Sequence, residues 1–224
     1  MKFMKKQVLV VFVIIIIILV STLSFAEEVY YKKAMDYFWK GAYKKAIPLF
    51  KKAIEEEENL CDAYFYLGLS YINLKKYRDA YNLSPKLIEL CTKKIEEDPN
   101  DFKAHYYLGY IYELRSFVPG ISEYDKAIEE FLIAHEISPK DVNILNHIAF
   151  CYLQKKEYQK AIEYLNQAKD LLPNNSWIMY HLGYGYMKMG NKEKAKEYFQ
   201  WVIDNGEKNS LLYKKAKEMM KKIK

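Results

Sequence analysis

Residues 66–80, YLGLSYINLKKYRDA, recur in altered form as HIAFCYLQKKEYQKA at 147–161 and as HLGYGYMKMGNKEKA at 181–195. A chain that writes one unit several times folds by stacking that unit on itself, since each copy offers its neighbours the same surfaces. Five copies begin at Lys32, Tyr66, Tyr107, His147 and His181, spaced by 34, 41, 40 and 34 residues. In register, a small residue falls at Ala34, Gly68, Gly109, Ala149 and Gly183, and an aromatic at Tyr37, Tyr71, Tyr112, Tyr152 and Tyr186. Each block closes on alanine, at Ala46, Ala80, Ala127, Ala161 and Ala195. Four copies then place a bulky apolar residue four positions on, at Phe50, Phe131, Leu165 and Phe199. Ala53, Ala134, Ala168 and Val202 follow three further on.

Apolar positions spaced by three and four mark each unit as two amphipathic helices. The small residue of the first helix and the alanine of the second are expected where the two cross closely, because a larger side chain there would push them apart. Pro99, Pro139 and Pro173 close three of the units. Proline cannot continue a helix and disfavours helix in the residue before it. One helix pair cannot bury its own apolar face, and stacking recovers roughly 25 cal/mol per Å² of apolar surface removed from water.

This pattern resembles the tetratricopeptide repeat, a 34-residue helix–turn–helix carrying Leu-Gly, Tyr, Ala, Phe, Ala and Pro in phase. The resemblance implies an all-α, right-handed superhelical solenoid of five units at 27–60, 61–101, 102–141, 142–175 and 176–209. Residues 210–224 are similar to the solvating C-terminal helix that caps such arrays. Two copies depart from the pattern. The second has seven extra residues after Ala80, which predicts a longer second helix, bent at Pro85. In the third, RSFVPGISEYD inserts six residues between the helices and carries Phe117, Val118 and Ile121 around a Pro-Gly turn. That insertion is expected to fold back on its own repeat, with a partner-touching loop as the functional alternative.

Ahead of the repeats, MKFMKK and the apolar run Val8–Val20 lead into STLSFA and then Glu27. Residues 1–26 form either an export signal cleaved after Ala26 or an uncleaved membrane anchor. Both readings send the remainder across a membrane, to the periplasm or another extracytoplasmic part of the cell envelope. Membrane contact is expected only through this segment. It holds three of the 35 basic residues and none of the 29 acidic ones, so without it the formal charge falls from +6 to +3. That excess is too small to point to nucleic acid.

No Gly-rich phosphate loop, nucleophile elbow or paired metal motif occurs, so no catalytic residue, cofactor or metal is expected. His147 and His181 fall in register, but two histidines make a poor metal site, since zinc takes a third or fourth ligand. Three cysteines are an odd number for an exported chain. Cys61 starts a first helix and Cys91 lies late in the following one, which makes them candidates for a disulfide in an oxidising compartment. Cys151 sits on an apolar side and is expected in the core.

In the family that the repeat resembles, first helices line a concave face on which partner peptides lie. The matching positions carry Tyr31, Met35 and Phe38, then Phe65, Tyr66 and Leu69, then Lys103, Tyr106, Tyr107 and Tyr110. Asn146, His147 and Phe150 follow, and Trp177, Tyr180, His181 and Tyr184 complete the set. Of the Lys, Asn and Arg positions with which relatives hold a C-terminal carboxylate, only Lys103 has a counterpart. An aromatic groove suits instead an extended or helical protein segment bearing apolar side chains. The expected function is a non-enzymatic interaction module, and the alternative is a membrane-anchored assembly factor that self-associates through its solenoid ends.

Overall fold

The computed structural model describes residues 30–56 and 61–223, so the N-terminal signal or anchor lies outside the described residues. All regular structure among them is helical: α1 (30–39), α2 (Tyr43–Glu56), α3 (Cys61–Asn73), α4 (Tyr77–Glu97), α5 (Phe102–Arg115) and α6 (Tyr124–Ile137). Then come α7 (Val142–Gln154), α8 (Tyr158–Leu171), α9 (Ser176–Lys188), α10 (Lys192–Asn205) and α11 (Leu211–Lys222). The described residues form two compact units, the first ending at Leu90 and the second beginning at Cys91.

The helix boundaries follow a punctuation that the sequence spells out. α4, α6 and α8 end two residues before Pro99, Pro139 and Pro173. Two residues after each proline stands the cap of the next helix. Asp101 accepts from the Ala104 amide, Asp141 from the Asn143 amide, and Asn175 from the Trp177 and Ile178 amides. Each such cap contributes about 1 kcal/mol.

In four of the five repeats the first helix closes with paired 6→1 and 5→2 hydrogen bonds. The carbonyls of Tyr37, Tyr71, Tyr152 and Tyr186 accept from the amides of Ala42, Lys76, Glu157 and Asn191. The residue between is left-handed each time, at Gly41, Lys75, Lys156 and Gly190. The recurring tyrosine has a second use. Its ring lies under the lysine that precedes the recurring alanine, with Lys45, Lys126, Lys160 and Lys194 at 5.7, 5.3, 5.2 and 4.9 Å from the ring centres of Tyr37, Tyr112, Tyr152 and Tyr186. An exposed cation–π contact of this kind is worth roughly 0.5–1 kcal/mol.

In the second unit, α5 packs on α6, α7 on α8 and α9 on α10, while α6 and α8 also pack on the first helix of the following pair. α11 covers α10 and α9 and buries Ala216. The small first-helix residue meets the bulky residue four positions beyond the alanine, rather than the alanine itself. A Cβ on Gly109 would stand 2.7 Å from the ring of Phe131, and one on Gly183 would stand 2.9 Å from that of Phe199. Both rings are fully buried, and burying such a side chain contributes about 1.5–3 kcal/mol.

The first unit repeats this core around Phe50, whose ring stacks on Tyr66 at 6.2 Å and meets Phe38 edge-on at 6.4 Å. Its α3 differs in one respect. Gly68 has open space where its Cβ would be, because Ser84 stands where the other copies have Phe or Leu. α4 has the expected extra length, 21 residues with Pro85 inside.

Candidate functional site

The first helices of the second unit, α5, α7 and α9, share a recess of about 310 Å³. Glu113 comes from α5, Asn143, Asn146, His147 and Phe150 from α7, and Trp177 from α9. These positions follow from the repeat, since equivalent helical faces return to one side at each stacking step.

Polar side chains meet at the floor. Glu113 is buried, and its Oε2 accepts from His147 Nδ1 at 2.8 Å. A carboxylate only accepts, so the imidazole carries a proton at Nδ1, and its Nε2 lies 3.3 Å from the Tyr106 hydroxyl. The same Oε2 is 3.9 Å from the Cys151 thiol. Burial first, and then the Glu113 charge, push that thiol well above its ordinary range, and Cys151 is fully buried in the core, as expected. Burial and Glu113 likewise raise the Tyr110 phenol. Asn146 Oδ1 is buried without a hydrogen-bond donor among the described residues.

The walls are aromatic. The His147 ring stacks on Phe131 at 5.1 Å and meets Tyr110 edge-on at 5.4 Å. Trp177 stacks on His181 at 3.8 Å, and His181 Nδ1 donates to the Trp177 carbonyl at 2.8 Å. Burial pulls the His181 pKa down from 6.5 to about 4, against the opposing pull of that backbone bond.

The insertion of the third copy reaches this region. Its base is tied by Arg115 to Glu123 at 2.7 Å and by the Glu123 amide donating to Ser116 Oγ at 2.7 Å. Pro119 and Gly120, with the Ile121 amide bonded to the Val118 carbonyl and Gly120 at φ 85°, make a tight turn that requires glycine. The base thus folds on its own repeat, as expected. Phe117, however, reaches the next repeat and lies 5.9 Å from the Phe150 ring.

The sequence-derived residues divide by burial. Phe38, Phe65, Tyr107 and Tyr180 are buried and pack as core, so they leave the groove. Tyr31, Met35, Tyr66 and Leu69 are half-buried in the first unit, with Tyr31 against Phe50 at 6.1 Å. In the second unit Lys103 is exposed and Tyr184 half-buried, while Tyr106, Tyr110 and His181 are half-buried against the lining residues His147 and Trp177. Asn146, His147, Phe150 and Trp177 line it. Glu113 and Asn143 were not anticipated. A lone carboxylate on a tyrosine-rich helix passes for a solvated one. Its only signal is its place three residues after Tyr110, on the side that Tyr110 shares. Cys61 and Cys91 are buried, one in each unit, and their pairing stays a prediction.

Family models for the tetratricopeptide repeat match residues 62–89 and 178–204. The chain carries tetratricopeptide repeats. A model described as regulator of microtubule dynamics protein 1-3 matches residues 114–176, the stretch between those two repeats. No curated protein matches. Among solved structures, the tetratricopeptide-repeat protein TTC0263 of Thermus thermophilus superposes with a TM-score of 0.64 at 18% identity, over 86% of this chain and 97% of that one. MamA from Desulfovibrio magneticus RS-1 gives 0.59 at 21% identity, over 82% and 97%. YrrB, a tetratricopeptide-repeat protein with an unusual peptide-binding site, gives 0.56 at 19%, over 84% and 90%. At these identities the likeness establishes the tetratricopeptide-repeat fold and not a function.

Proposed function

We propose that this chain is a non-enzymatic scaffold of the cell envelope that receives an extended or helical segment of a partner protein along α5, α7 and α9. The observation that carries the reading is the recess itself. Three successive first helices converge on it, and four of its six lining residues are ones that the repeat register nominates for partner contact. Phe150 and Trp177 offer large, rigid apolar area with little side-chain entropy to lose, the residue chemistry that dominates interface energetics. Placement in the envelope rests on residues 1–26, and the mass of the protein recovered from membranes distinguishes a cleaved signal from an anchor.

The test is a pull-down from detergent-solubilised envelopes, with the wild type beside a Phe150→Ser/Trp177→Ser variant matched for helix content and thermal midpoint. A partner held by the first and lost by the second supports the groove. Equal retention moves the site to the ends or the outer helices. Affinity carried by desolvated aromatics should also change less than about tenfold between low and moderate salt, because screening acts mainly on exposed charges.

A further inference from the structure

The recess has a charge character that the aromatic list does not convey. One carboxylate, Glu113, lines it, and no ammonium or guanidinium does. The contacts of Glu113 with His147 and Cys151 all fall on Oε2. Oε1 takes no hydrogen bond among the described residues. The Asn146 amide beside it also has an oxygen without a donor. Two acceptor oxygens of the lining residues thus lack a donor among the described residues, and Phe150 and Trp177 line the recess with them.

Resting on the groove reading, we propose that this recess takes the cationic end of a lysine or arginine side chain from the partner segment, with Glu113 as its counter-ion. An anionic or purely apolar group would leave the buried Glu113 with its His147 bond alone and Oε1 without a donor, an unfavourable arrangement for a carboxylate. A cation gains the Glu113 charge and the Phe150 and Trp177 rings, which attract positive charge. A divalent metal is a poorer fit, since it needs more ligands than one carboxylate supplies. The volume also suits one side chain, standing at the lower end of the roughly 300–1,000 Å³ found for small-molecule sites. The aliphatic stem of lysine or arginine would lie along Phe150 while its head reaches the floor.

The test uses the full-length chain in non-ionic detergent micelles and a displayed library of random 12-residue peptides. Retained peptides are expected to share a basic residue at one fixed position. The tightest lysine-bearing peptide is then compared with its Nε-acetylated form by fluorescence anisotropy. Acetylation should weaken binding to the wild type about tenfold and binding to Glu113→Gln less than about twofold, because the amide still accepts from His147 but carries no charge. If Glu113→Gln fails to fold, a photoreactive lysine analogue at the same peptide position must label the wild type at residues of the recess; labelling elsewhere overturns the proposal. Retained peptides without a basic preference, or an acetylation effect undiminished in Glu113→Gln, also overturn it. The groove reading survives that result if Phe150→Ser/Trp177→Ser still abolishes binding. Peptide binding indifferent to every one of these variants, or an empty selection, overturns both.

Discussion

In the third helix pair, Gly109 lies against the buried ring of Phe131, and Lys126 covers Tyr112. The fifth pair repeats the arrangement with Gly183, Phe199, Lys194 and Tyr186. The second pair keeps the glycine, Gly68, and the tyrosine, Tyr71, but has Ser84 in place of the phenylalanine and Asp79 in place of the lysine. Its buried serines, Ser70 and Ser84, bond back to the Tyr66 and Tyr81 carbonyls at 2.7 and 2.6 Å. These bonds satisfy hydroxyls without joining one helix to another. Of the three pairs that carry this glycine, two are thus locked by a glycine–ring contact and one is not, so a glycine means different things in them.

The lock can be broken hardest at the ring. Phe131→Ala is expected to cost about 3–5 kcal/mol through lost burial and the cavity left behind, read from urea unfolding followed by the far-ultraviolet signal. Acid separates the fifth pair from the third. His181 titrates near 4 in the fold against an ordinary 6.5. Between those values the unfolded chain binds a proton that the folded chain does not, so stability falls as pH drops from 6.5 towards 4. The loss should approach about 2–3 kcal/mol for a ring that keeps some solvent contact. A His181→Gln variant should show a flatter pH profile across that window.

Adding a methyl group tests the glycines directly. Gly109→Ala should lose about 1–2 kcal/mol, since overpacking against a ring that cannot move outweighs the better helix propensity of alanine. Gly68→Ala meets open space and should gain about 0.5–1 kcal/mol. Thermal midpoints moving the same way in both variants would refute the distinction. Asp79→Lys, which restores the missing cover over Tyr71, should add no more than about 0.5–1 kcal/mol. The smallest effect concerns the cysteines: if Cys61 and Cys91 pair, protein isolated without reductant and alkylated after denaturation should gain the mass of one adduct, on Cys151. Three adducts would end that idea.

Much of this was readable in the residues. Position in the repeat predicts a close crossing at Ala34, Gly68, Gly109, Ala149 and Gly183, which Gly109 and Gly183 show and Gly68 does not. It also predicts that prolines stop the second helices and that the helix after Ala80 is long. The sequence does not tell which of two adjacent tyrosines turns inward. Tyr106 and Tyr107 are chemically identical, and only the rotation of α5 sends Tyr107 into the core and leaves Tyr106 beside His147. Nor could it place Glu113, whose partner His147 lies two helices away, or carry Phe117 to Phe150, because loop geometry rather than periodicity decides where an insertion lands. Phe38 and Phe65 show the same limit: helical spacing marks an aromatic stripe without saying which side of it a neighbouring helix will cover.

The proline-to-cap punctuation has a mechanical corollary. Pro139 with Asp141 and Pro173 with Asn175 are matching marks 34 residues apart, each ending one helix and starting the next. A gene segment copied between them would splice in a complete helix pair whose two faces already fit its neighbours. Under tension, such a lengthened chain should show one more rupture in its force–extension trace, releasing roughly 110–120 Å of contour for about 34 extended residues.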